Sequence, residues 1–240
     1  MISIKALAAI VAVSVASAAI AGPMVIRASG PSAANFRPGT RLASDSAVAL
    51  KAGDLLVVLD AQGTRSLQGP GSFRFDQAPA AQGSAVLAYA SLLTQKTERR
   101  ARIGAVRGVA PPADLIPQPP GVWAIDASTS ATVCVLDPAQ VAIWRRDPMA
   151  AQTLTLTRSS DARTATIAFA AGQSLAEWPG ALAPATAAKY VVSGGGAPVT
   201  LTVKPIAAPE SVDQLGTLLF DNQCQSQLDR LATLTASKAD

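Results

Sequence analysis

Short apolar runs broken by turn residues recur along most of this chain, and their spacing predicts a mainly β protein. In the first block, Val48-Ala49-Leu50 leads into the turn Lys51-Ala52-Gly53-Asp54. Leu55-Leu56-Val57-Val58-Leu59 follows as the strongest strand and ends at Asp60-Ala61-Gln62-Gly63. Thr64 to Leu67 returns, and Gly69-Pro70-Gly71 turns it into Ser72-Phe73-Arg74-Phe75. Strands this short, joined by glycine turns, describe a small meander curled as a barrel or sandwich. From Ser84 to about Arg100 the period changes: Val86, Leu87, Ala90 and Leu93 fall at near-helical spacing and predict a helix.

A second block resumes after Val109–Gly121, which has five prolines in 13 residues and reads as a semi-rigid linker. Seven strands are expected there: 123–125, 131–136, 141–144, 153–157, 164–169, 189–192 and 199–203. Thr153–Thr157 and Val199–Val203 alternate strictly, the mark of a strand with one buried and one wet face. Seven short antiparallel strands suggest a β-sandwich resembling an immunoglobulin or fibronectin module. Ser211–Ser237 then reads as one amphipathic helix opened by a Ser211/Gln214 capping box, with Leu215, Leu219, Cys224, Leu228, Leu231 and Leu234 on its apolar face.

The extreme N-terminus fits neither block. Met1–Ala21 has Lys5, an apolar stretch over 6–16 and Ala19-Ile20-Ala21, the pattern of a secretory signal peptide cleaved between Ala21 and Gly22. The expected organisation is therefore a leader (1–21), a β module with a basic helix (22–108), the linker (109–121) and a sandwich with a C-terminal helix (122–240). The leader places the protein in the periplasm or outside the cell, and its apolar stretch is too short for a transmembrane helix.

Three segments of the first module, Pro38-Gly39-Thr40-Arg41-Leu42, Leu50–Asp54 and Gly63–Ser72, resemble the strand–turn rhythm of FecR-type periplasmic domains. The resemblance covers about 50 residues and implies a periplasmic module of that kind. It does not extend to the cytoplasmic segment and membrane helix with which such proteins relay signals.

Charge sharpens the picture. The chain carries a net +4, with 11 Lys/Arg against 5 Asp/Glu from Met24 to Gly108 and 8 against 11 from Val109 onward. Arg99, Arg100 and Arg102 form the candidate binding patch, which also suits a helix C-terminus. With export, the expected partner is an envelope protein or an anionic surface or polymer rather than nucleic acid, and the protein is not expected to be an integral membrane protein. Cys134 and Cys224 can form one disulfide in an oxidising compartment; the alternative is two separate thiols.

Catalytic chemistry finds little footing. Histidine is absent, which removes Ser-His-Asp and Cys-His catalysis and histidine-based zinc sites. Asp54 and Asp60 flank one strand, but both occupy turn contexts; Asp147 and Glu177 read as loop charges. Gly194–Gly196 lacks the residues of a phosphate loop, and no metal or cofactor is expected. Trp123, Trp144 and Trp178 are core or edge-covering residues, with carbohydrate stacking as the competing role. The reading that follows is a non-catalytic exported binding or scaffold protein. The alternatives are a glycan- or cell-wall-associated activity built on an Asp/Glu pair, and a FecR-like sensing module.

Overall fold

The structure, a computed structural model, describes residues 22–61, 63–75, 117–136, 141–184 and 186–236. The leader with Ala21, the helix expected over 84–100, Arg99, Arg100 and Arg102, and residues 109–116 of the linker lie outside the described residues.

The N-terminal unit holds five strands: β1 (Met24–Ser29), β2 (Ala47–Leu50), β3 (Leu55–Asp60), β4 (Gly63–Gln68) and β5 (Gly71–Arg74). A three-stranded sheet ordered β1-β3-β4 is faced by the β2-β5 ribbon. Val25, Leu56 and Val58 meet Val48, Leu50 and Phe75 between them. The opposite face of the same sheet presents Met24, Ile26 and Leu59 to a second core. Burial on both faces explains why Leu56–Leu59 reads as a continuous apolar run instead of alternating. β1 has no sequence counterpart among the expected strands. Its apolar residues are consecutive, and a register shift between Val25 and Arg27 interrupts the alternation that would mark it.

The seven strands expected in the second block form, with shifted ends, as β6 (Ala124–Asp126), β7 (Ala131–Val135), β8 (Ala142–Trp144), β9 (Gln152–Arg158), β10 (Thr164–Phe169), β12 (Ala188–Ser193) and β13 (Val199–Pro205). An eighth, β11 (Leu175–Glu177), was not expected. They build a two-sheet sandwich, with a five-stranded sheet ordered β10-β9-β12-β13-β7 and a three-stranded sheet ordered β11-β8-β6. Ile143, Leu154, Leu156, Ile167, Tyr190, Leu201 and Val203 fill the space between them. The expectation of antiparallel pairing throughout is corrected at two places: β7 runs parallel to β13, and β6 parallel to β8. Alternation fixes the face a residue takes and not the direction of its neighbour.

The C-terminal segment is two helices, α1 (Val212–Asp221) and α2 (Gln225–Thr235), rather than the single helix read from the sequence. Ser211 accepts from the Gln214 N–H at 3.4 Å, and Gln214 Oε1 accepts from the Glu210 N–H at 2.5 Å, so the cap forms one residue displaced from the capping-box ideal. The break falls at Asn222–Cys224, where Gln223 takes a φ of 63°. Cys224 is bonded to Cys134 across a Cα–Cα distance of 5.8 Å. Leu215, Leu219, Cys224, Leu228 and Leu231 are all buried, and they pack on Cys134 of the sandwich and on Met24, Ile26 and Leu59 of the N-terminal sheet. Gly216 lies so close to that sheet that a Cβ there would overlap the Leu59 side chain. The helices thus join the two β units through one core.

Candidate functional site

β7 is an outer strand of its sheet, and the residues around it build a cleft. Val135 C=O accepts from the Ile206 N–H at 2.9 Å, which turns Val135 toward β13. Alternation turns Val133 and Ala131 the same way and turns Cys134 and Thr132 outward. Gln227, on the buried face of α2 and 4% exposed, closes the edge at Cys134. Its Oε1 accepts from the Cys134 N–H at 2.6 Å, and its Nε2 donates to Cys134 O at 2.8 Å and to Val122 O at 3.0 Å. One carboxamide does there what a neighbouring strand would do.

Beyond Gln227 the edge opens into a cleft of about 740 Å³. Its walls are the β6 and β7 edges, the 118–122 segment and the outer side of α2, so residues more than a hundred positions apart meet across it. Thr129, Ser130, Thr132, Ser226 and Thr233 bring hydroxyl groups to the lining, with Val122, Ile125 and Val133 beneath. Arg27 is paired with Asp229 at 2.9 Å. Asp126 accepts from the Ser128 N–H at 2.8 Å and Ser128 Oγ at 2.5 Å, and Arg146 approaches it at 3.8 Å. Arg230 has no carboxylate partner among the described residues. Its Nη2 reaches Pro120 O at 3.4 Å, its buried Nε has no partner among the described residues, and burial draws its pKa below the ordinary guanidinium value.

A second cleft of about 710 Å³ is lined by Arg158, Asp161, Lys189 and Tyr190. Two of its charges, those of Arg158 and Asp161, are matched to one another. Arg158 Nε and Nη2 grip Asp161 at 2.9 and 2.6 Å, holding that carboxyl at about 2. Tyr190 donates to Leu182 O at 2.9 Å.

The residues singled out from the sequence are distributed differently. Cys134 and Cys224 are joined and fully buried. Asp54 and Asp60 do not meet: they stand at opposite ends of β3, a strand about 20 Å long. Asp54 accepts from the Ser32 N–H at 2.8 Å and the Lys51 N–H at 2.6 Å, bonds that lower its pKa, and Asp60 pairs with Arg65 at 2.6 Å. Asp147 caps the Met149 N–H at 2.9 Å, and Glu177 is exposed on β11. Trp144 and Trp178 are core residues, 4% and 6% exposed, and Trp178 stands edge-on to Tyr190 at 4.9 Å. Trp123 is partly buried against the helical core. Gly194–Gly196 lies in the β12–β13 connection, where Gly194 and Gly196 adopt φ of 98° and 122°.

Two buried polar positions are not apparent in the composition or motifs although their spacing marks them. Gln227 is three residues after Cys224 and four before Leu231, which places it on the apolar helix face. Arg145 continues the inward alternation of Val141 and Ile143. Its guanidinium, 5% exposed, donates to the carbonyls of Gln173 (2.8 Å), Ala150 (2.7 Å), Ala170 (2.9 Å) and Pro148 (3.3 Å) and lies 4.8 Å from the Phe169 ring centre.

Among the described residues no three acidic or cysteine side chains are placed to hold a metal ion, and no helix is long and apolar enough to cross a membrane. A buried disulfide is compatible with an oxidising, extracytoplasmic setting. Comparison with protein-family models, with curated proteins and with solved structures finds no match for the chain.

Proposed function

We propose that this is a non-catalytic, exported binding or scaffold protein of the cell envelope, with the cleft beside β7 as its ligand surface. One observation carries the reading. The cleft is assembled from segments distant in sequence, and its walls are fixed by the Cys134–Cys224 bridge and the Gln227 clamp. Pre-set walls lower the ordering cost of binding. The leader read over Met1–Ala21 and the resemblance of the first module to FecR-type periplasmic domains support an envelope address. The basic patch Arg99, Arg100 and Arg102 is a second contact for an envelope protein or an anionic polymer.

The test is site-directed photo-crosslinking in cells that make the full chain. A crosslinker replacing exposed Thr233 on the cleft rim is expected to capture a reproducible envelope component, while one replacing exposed Glu177 is not. Charge reversal at the three arginines should weaken that capture. Equal capture from both sites overturns the cleft assignment, and recovery of the protein in the cytoplasm with two free thiols overturns export.

A further inference from the structure

The chemistry of the cleft wall identifies the class of ligand, on the reading that this cleft is the ligand surface. Gln227 satisfies the outward peptide groups of Cys134, yet nothing among the described residues does so for Thr132, two residues earlier on the same edge. Its N–H and C=O face the cleft. Peptide groups at an open sheet edge are complementary to another main chain in extended conformation. Sugars bind by stacking on exposed aromatic faces, and no aromatic side chain is among the described residues that line the cleft.

Charge supplies the second half. Arg27 and Asp229 neutralise one another, and Asp126 faces Arg146, which leaves Arg230 as the lining charge without a carboxylate among the described residues. Its Nη1, which makes no hydrogen bond among the described residues, and its weakly held Nη2 form the fork that a carboxylate accepts in two parallel hydrogen bonds. One cation left unpaired among the described residues suits one acidic side chain better than a polyanion.

We propose that the cleft binds an extended segment of a partner protein, which adds to the β7 edge at Thr132 and sets a carboxylate on Arg230. The polar rim of Thr129, Ser130, Ser226 and Thr233 suits a backbone in which alternate side chains point away from the sheet.

The probe is a synthetic pentapeptide, acetyl-Thr-Val-Glu-Val-Thr-amide, titrated into the isotope-labelled full chain and followed by NMR. The expected result is a shift of the Thr132 amide and the Arg230 Nε–H. Replacing the glutamate by glutamine should weaken binding about tenfold, the scale of one charge-assisted fork at a half-buried site. Arg230→Gln should abolish the difference between the two peptides, and Arg230→Lys should restore part of it. N-methylation of the central peptide bonds should weaken binding to every variant. Because Arg230 also contacts Pro120, unchanged shifts elsewhere in each variant's spectrum serve as the folding control.

Equal affinity for the glutamate and glutamine peptides overturns the carboxylate assignment, and shifts that bypass Thr132 overturn the strand addition. An N-acetylglucosamine tetrasaccharide that shifts the cleft resonances where the peptide does not overturns the proposal while leaving the cleft as the ligand surface. If Thr233 crosslinking captures no component and the peptide shifts nothing, the ligand-surface reading falls with it.

Discussion

Replacing Gln227 with leucine tests how the edge of β7 is closed. The substitution keeps the helix and roughly keeps side-chain volume. It strips partners from the Cys134 N–H, the Cys134 carbonyl and the Val122 carbonyl, in a position where the native side chain is 4% exposed. A buried orphan group costs about 1–3 kcal/mol, with the lone N–H near the upper value and the carbonyls near the lower. Leucine returns about 1–2 kcal/mol through its apolar surface, leaving a net loss of about 3 kcal/mol. For a protein of this length that is a fall in Tm of about 6–12 °C. Urea unfolding followed by circular dichroism measures it, with Gln225→Leu on the exposed side of the same helix as the control, expected within about 0.5 kcal/mol of wild type. Gln227→Glu gives an independent check through its sign. Burial raises the carboxyl's folded-state pKa above its unfolded value of about 4.3, so the variant should lose further stability as pH rises past that value. A Gln227→Leu protein as stable as wild type would refute the idea that this amide substitutes for a strand.

Arg145→Lys should cost about 2–3 kcal/mol, because an ammonium cannot reach carbonyls arranged around a planar fork; proteolysis within 146–151 should quicken accordingly. Replacing both cysteines by alanine should cost about 4–5 kcal/mol on the chain-entropy model for a separation of 90 residues, and reduction of the wild type should approach the same value. Asp161, held at about 2 by Arg158, has a folded pKa below its ordinary 3.8. Its contribution is present above the unfolded value and is lost as pH falls through the folded one. Asp161→Asn should therefore be less stable than wild type at pH 6 and converge with it near pH 2 in parallel denaturation curves.

The parts of this fold legible from sequence are those where one face of an element is wet. Thr153–Thr157 and Val199–Val203 alternate because one row of side chains points into the sandwich and the other to solvent. Where both faces are covered the signal fades. Met24-Val25-Ile26 serves two cores at once, so β1 carries no period to read. The helix break was written in the spacing, since Leu219 to Cys224 is a five-residue step that rotates the apolar stripe by more than a third of a turn. The cleft was less legible than the fold. Thr132, Gln227 and Arg230 become neighbours only through a disulfide and a parallel strand pair, and local patterning encodes neither partner nor direction.

The seating of the C-terminal helices on the first sheet has a consequence for the order in which the molecule can be completed. Arg27 on β1 binds Asp229 on α2 across 202 residues, and Thr64 bonds to Thr235 across 171. A growing or translocating chain cannot bury Met24, Ile26 and Leu59 until residues 215–231 have emerged. Contacts of such separation make assembly slow and leave an adhesive surface open while the chain is incomplete. The same connectivity makes truncation conspicuous: a polypeptide ending before α1 exposes that whole face to proteases, so finished and unfinished copies are distinguished at the first strand.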